Sequence, residues 1–264
     1  MLQFDIFILL SHPLLSRVKK HGKTIKDFFK NKILIKIIKI RKEMNKILLF
    51  NQEQKCFTFE GSKVIGIHTY IEKMKSDVNN TRLYNFNFTK KIFRIELKKC
   101  IQNNIDCDIM DNKKHGSLMD ANIIEHLKNV NVEHVCFRKL LCYLRQKQLI
   151  IISSQNIIYD KNNKFATSID FIAIRSFDSK LFIFELKSTT KNEVFENHST
   201  LGYIKVNDQI CVANNLLNKQ LLQIHLIKKI IESYFDGANL SHNKSVEFVL
   251  LKIAKKKIVE YTLI

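Results

Sequence analysis

A chain of 264 residues, 45% hydrophobic and 26% charged with one proline and six glycines, has the composition of a folded domain with a real core, which excludes a disordered or fibrous protein. Its 44 Lys and Arg stand against 25 Asp and Glu, a formal charge of +19. That balance points to a polyanionic partner, nucleic acid first and an anionic membrane surface second, although the many Lys, Asn and Ile codons of an A/T-rich genome are another source of part of the charge.

The cysteines, Cys56, Cys100, Cys107, Cys136, Cys142 and Cys211, form no Cys-x-x-Cys pair and no zinc-like spacing with histidine. They are expected to be reduced cysteines of an intracellular protein. No apolar run approaches the roughly 18–20 residues that span a bilayer, so no transmembrane segment is expected. The apolar stretch Met1–Leu10 is short and its charges follow it, the wrong order for a secretory signal.

In chain order, residues 1–50 form a basic N-terminal extension, with twelve Lys and Arg against Asp5, Asp27 and Glu43. Between Phe28 and Leu49 apolar residues recur at helical spacing, predicting a basic amphipathic helix suited to a phosphate backbone, a membrane surface or organellar targeting. The alternative is dispensable upstream sequence, with Met44 as a second start. Residues 51–264 are read as one domain. Cys56–Glu60 and Phe93–Leu97 are strand-like. Leu118–Leu127 and Val135–Gln146 read as helices. Gln148–Tyr159, Ala166–Arg175 and Leu181–Lys187 read as strands of an antiparallel meander, with turns at Asp160–Lys164 and Phe177–Lys180. A polar loop precedes a long helix over Asp208–Phe235, with Leu216, Leu217, Leu221, Ile224, Ile227 and Ile231 close to helical spacing. Val246–Ile253 and Ile258–Ile264 are terminal strands. The order α-βββ-α-ββ describes an α/β or α+β layered domain, a mixed central sheet flanked by helices.

Two carboxylates sit inside apolar strands, Asp170 in Ser168–Ile174 and Glu185 in Leu181–Lys187. Burying an unpaired carboxylate costs several kcal/mol, so each needs a partner. The turn at Phe177–Lys180 brings the two strands side by side, and a period of two puts Glu185 and Lys187 on one face. Two carboxylates and a lysine at one sheet edge suit Mg²⁺ or Mn²⁺, which prefer hard oxygen ligands. The competing reading is a buried ion pair without catalysis.

Ser154–Asp160, Ala166–Asp170 and Phe184–Ser188 together resemble the central motifs of PD-(D/E)xK nucleases, most of all the RecB-like branch with its mitochondrial genome maintenance exonucleases and large-DNA-virus nucleases. Leu222–Glu232 resembles that branch's Gln-x-x-x-Tyr helix, with Gln223 in place and Ile227 for Tyr. Gly116–Asp120 resembles its Gly-x-x-x-His helix start, with Asp120 for His, and Glu125 lies one residue from the usual helical Glu. Thr167 and Ser168 replace the usual Gly-Thr pair. The resemblance covers residues 115–235. It implies a restriction-endonuclease-like core and metal-assisted hydrolysis of DNA, by an exonuclease in replication, recombination or repair, in a virus-encoded or organelle-linked setting. It assigns Asp170, Glu185 and the Leu186 carbonyl to the metal, Lys187 to the water or phosphate, and Gln223 to positioning; Asp120 and Glu125 are outer ligands. An iron–sulfur cluster is not expected, since only Cys211 follows the core strands. Gln155, without charge, is left out of the metal shell. His115 is read as a helix-start residue and His225 as a packed one. The alternative function is a catalytically inactive DNA-binding protein of the same fold.

Overall fold

The computed structural model describes residues 48–51, 56–76, 82–94, 112–128, 135–189, 199–206, 210–234, 246–254 and 257–264. The basic helix expected over Phe28–Leu49 lies outside them, except that Leu48 and Leu49 belong to a strand, β1 (Leu48–Asn51). β2 (Cys56–Phe59) and β3 (Ser62–Gly66) form a hairpin. Its turn residues Glu60 and Gly61 have φ of 49° and 80°, the left-handed pair of a type I′ turn. α1 (Ile67–Lys73) follows, then β4 (Lys75–Ser76), β5 (Arg82–Leu83) and β6 (Phe88–Arg94). Two helices, α2 (Asn112–Leu127) and α3 (Val135–Gln146), lead into the meander β7 (Leu149–Asp160), β8 (Phe165–Arg175) and β9 (Leu181–Ser188). β10 (Ser199–Lys205), β11 (Ile210–Asn215), α4 (Leu216–Ser233), β12 (Val246–Ile253) and β13 (Lys257–Leu263) complete the order.

The meander follows the sequence reading. Asp160 closes the first turn by accepting the N–H groups of Asn162 and Asn163, both at 2.9 Å, the local bond that makes aspartate a turn residue. Four expectations need correction. The helix read from Leu118 begins at Asn112, so Gly116 lies inside it and not at its start. The long helix starts at Leu216, not Asp208, because Asn215 is extended and its side chain caps the Asn218 N–H at 2.8 Å. The stretch read as a polar loop contains the paired strands β10 and β11, so α-βββ-α-ββ gains two strands. The strand placed at Phe93–Leu97 is instead Phe88–Arg94, paired with β13.

The result is a mixed α/β chain with a strand-rich sheet and, among the described residues, four helices. The main sheet runs β1-β2-β3-β8-β9-β12-β13-β6, with β7 also on β8, and β4-β10-β11-β5 form a smaller one. β3–β8 and β9–β12 are parallel, while β7–β8, β8–β9 and β12–β13 are antiparallel. One core packs Leu221, Ile224 and Ile227 of α4 against Ile172, Ile183, Phe248 and Leu250. The other packs Met119, Ile123, Phe137 and Leu140 of α2 and α3 against Phe171, Phe184, Val249 and Leu251. The central strands are thus covered on both sides, which is why β9 reads as a continuous apolar run. No described helix is long and apolar enough to cross a membrane.

Two irregularities position Asp170 and the residues around it. β7 pairs with β8 along its whole length, from Phe165 to Arg175. β3 and β9 therefore share the other edge of β8, β3 at Phe165–Ala166 and β9 only from Phe171 to Ile174. Between them lies an unladdered stretch, residues 167–170. Second, Phe165 and Ile169 pack in the α4 core, whereas Phe171 and Ala173 pack in the α2–α3 core. Alternate residues of a straight strand stay on one side, so β8 changes sides at Asp170. Opposite that point, between the pairs Ser154–Phe171 and Asn156–Ile169, Gln155 has φ of 50°. A left-handed residue in a strand is the kind of kink that re-aims side chains beside active sites.

Candidate functional site

The β8–β9 ladder ends at Phe171–Phe184. One step further the Leu186 N–H donates to Asp170 Oδ2 at 2.6 Å, so the carboxylate replaces the next ladder bond and holds the parting strands together. The neighbouring Glu185 is buried, 1% exposed. Its Oε1 accepts from Lys187 Nζ and, at 2.6 Å, from Gln223 Nε2 on α4. Its Oε2 is buried with no hydrogen-bond partner, as is Gln223 Oε1. A buried carboxylate oxygen left unpaired is costly, and a cation held there would relieve that cost.

The electrostatics agree with this crowding. Burial, then Glu185 and Asp120, hold the Asp170 carboxyl well above its ordinary value, against the opposing Lys187 charge and Leu186 N–H. Burial, then Glu185, push Asp120 up to about 6, with Lys187 opposing. Burial alone would lower the Lys187 ammonium, but Glu185, Asp170 and Asp120 outweigh it and keep it above its usual value. Asp120 of α2, Asp170 of β8, Glu185 and Lys187 of β9 and Gln223 of α4 therefore form one charged cluster drawn from four elements.

A hard divalent cation fits these donors. Among the described residues no three or more His, Cys, Asp and Glu side chains have the spacing of a complete metal cage. Mg²⁺ does not need one, because it keeps several waters and is held by one or two carboxylates. Glu185 Oε2, without a partner, could supply one carboxylate oxygen, and Asp170, whose carboxyl feels the Glu185 charge, the other.

Other expected residues divide. Glu125 does not join the cluster: it is exposed on α2, and five helical positions turn it about 140° away from Asp120. Thr167 fits where glycine is usual in the resembled motif, because it is buried in β8 and is not among the residues with positive φ. Gln155 accepts from Ser168 Oγ at 2.9 Å, beside the cluster. His225 packs against Phe86, ring centroids 5.7 Å apart, and burial, with Lys229 and Lys228 nearby, pulls it down to about 4. It is a packed neutral histidine, as expected.

Sequence reading missed His68. Partial burial of its ring, then the Lys187 charge, lower its imidazole, against Glu185 and Glu72, while the residue keeps an exposed side towards solvent. These influences put it in the neighbourhood of the cluster although it precedes Asp170 by about a hundred positions. No motif surrounds it, and nothing short of the tertiary fold connects it to β9. Comparison with protein-family models, curated proteins and solved structures returns no match.

The raised Asp120 carboxyl gives a stability prediction for the metal-free protein. Its folded value of about 6 exceeds the ordinary 3.8, so the folded state binds the proton more tightly. The charged form therefore costs stability above pH 6, and that cost is relieved as pH falls from about 6 towards 4. Asp120→Asn is expected to raise the unfolding free energy at pH 8 in EDTA by about 1–3 kcal/mol, and by far less near pH 4. Urea unfolding at the two pH values checks this; an equal effect at both would remove Asp120 from the cluster.

Proposed function

We propose that the chain is a Mg²⁺- or Mn²⁺-dependent DNA nuclease of the PD-(D/E)xK kind, on the restriction-endonuclease-like core its motifs imply. The observation that carries this reading is the unpartnered buried oxygen of Glu185 beside Asp170, while Lys187 and Gln223 hold its other oxygen. Asp170 and Glu185 would hold the metal, with the Leu186 carbonyl and Asp120 as further ligands. When bound, the ion supplies Lewis-acid polarisation of a phosphate and a lowered pKa for a coordinated water.

The chain's own groups do the rest. Lys187 keeps its ammonium charged among the carboxylates, and its side chain is 29% exposed, within reach of a phosphodiester. It stabilises the negative charge that grows on the non-bridging oxygens as water adds to phosphorus and the P–O bond to the leaving strand breaks. Gln223 fixes the orientation of Glu185 through its amide N–H. The net charge of +19 draws phosphates with little regard to base sequence and with strong salt dependence.

The test is incubation of end-labelled linear single- and double-stranded DNA with the protein in Mg²⁺, Mn²⁺ or EDTA. Metal-dependent loss of substrate is expected, with the product ladder reporting exonuclease or endonuclease action. The second reading is a non-catalytic DNA-binding protein of this fold, motivated by Asp120, Ile227 and Thr167 standing where the resembled motifs carry His, Tyr and Gly. Salt-sensitive DNA binding by a folded protein without cleavage in either metal would replace the first reading with the second.

A further inference from the structure

β3 runs parallel to β8 with Gly66 opposite Ala166, and α1 begins at the next residue. The chain therefore enters α1 alongside the unladdered stretch 167–170, at the mouth of the gap where β9 leaves β8. α1 is pinned there. Ile67 and Ile71 are buried in the α4 core, Tyr70 stacks on Phe165 with centroids 4.4 Å apart, and Glu72 accepts from Lys219 Nζ of α4 at 3.0 Å. His68 lies one helical turn before Glu72, and Gln223 one turn after Lys219. The far end of α4 lies by the start of α1, since Tyr234 bonds to the Tyr159 carbonyl, and Tyr159 pairs with Ala166, which pairs with Gly66. The two helices therefore run in opposite directions. Because residues four apart share a helix face, the Glu72–Lys219 contact brings the His68 turn towards Gln223, the residue that holds Glu185. The charges of Lys187 and Glu185 both act on the His68 ring, while His68 itself is exposed.

We propose that His68 is a further substrate-contacting residue, its imidazole N–H donating a hydrogen bond to a non-bridging oxygen of a DNA phosphate seated beside Glu185 and Lys187. This rests on the nuclease reading for its substrate, but not on any titration of the ring: a neutral imidazole has one N–H donor, which suffices for a phosphate oxygen. The competing role for an exposed helix residue so placed is structural, to support α1.

The test uses the full chain as wild type, His68→Ala and His68→Gln, the last keeping an N–H donor. Cleavage of end-labelled single-stranded DNA in Mg²⁺ gives kcat/KM, anisotropy of a fluorescein-labelled oligonucleotide in Ca²⁺ gives Kd, and thermal unfolding gives the midpoint. His68→Ala is expected to lower kcat/KM and weaken Kd by about tenfold each, the size of one hydrogen bond to a charged group. His68→Gln is expected to recover most of both, with unfolding midpoints unchanged. His68→Ala matching wild type in kcat/KM and Kd would overturn the proposal. So would a loss that His68→Gln does not recover and that tracks a lower midpoint. A wild type that binds but does not cleave overturns the nuclease reading alone, and an unchanged Kd in His68→Ala then overturns the contact. A wild type that neither binds nor cleaves overturns both.

Discussion

Glu185→Ala is expected to abolish metal-dependent DNA cleavage, lowering the rate by at least about a hundredfold, since metal stabilisation of transition-state charge contributes several kcal/mol. The substitution removes the oxygen that lacks a partner and the one that Lys187 and Gln223 share. It also leaves the Lys187 ammonium without the neighbour that does most to hold it charged. Folding is expected to survive, because Asp170 keeps the Leu186 N–H and still ties β8 to β9, and because one crowded carboxylate is gone. Lys187→Ala run beside it separates the roles: it is expected to impair cleavage while leaving metal binding, read as the Mg²⁺-induced rise in thermal midpoint, intact. Glu185→Ala is expected to lose that rise. A Glu185→Ala protein that degrades DNA in Mg²⁺ as wild type does would end the nuclease reading at this site.

Phe184→Ala is expected to be the most destabilising change of the central strands, by about 3–5 kcal/mol. Phe184 has no exposed surface, stacks on Phe171 with ring centroids 4.4 Å apart and meets Tyr143 edge-on at 6.4 Å. The space it fills is bounded by rigid strands and by α3, so little of the cavity can collapse. The pair Phe171–Phe184 is also the last rung of the β8–β9 ladder before the strands part. Loosening it is expected to reduce cleavage even where the variant remains folded, because the separation of Asp170 and Glu185 is set from this rung. Ile92→Ala, at a side chain 55% exposed, is the control and is expected to change stability by no more than about 0.5 kcal/mol. Urea unfolding of the two variants measures both; a cost for Phe184→Ala no larger than that of Ile92→Ala would mean that this rung does not hold the sheet together.

Much of the architecture was legible in the residues. Asp160 with its following asparagines announces a turn, because aspartate bonds to the backbone just after it. The β-branched runs on either side announce strands, and the apolar spacing from Leu217 to Ile231 announces a helix buried along one side. Asp170 and Glu185 stand out because a carboxylate in an apolar strand must find a partner, and Lys187 follows from a period of two. The start of α4 was misplaced, since the polar segment before it forms β11 by pairing with β10, and pairing across a gap leaves no local signature.

By itself, then, the sequence determined which strands carry the carboxylates and that they lie next to each other, since short turns and side-chain period are local properties. Only the tertiary structure decided how those groups are used. β3 docks against the first residues of β8 and β9 joins only from Phe171, so that residues 167–170 pair with neither on that edge. Gln155, with its left-handed backbone, lies where β8 changes sides at Asp170. α2 brings Asp120 to the cluster but turns Glu125 away, and α1 brings His68 from a distant part of the chain. Each of these depends on contacts between segments far apart along the chain, whose closeness is settled by how the layers bury their apolar faces and not by any nearby residue.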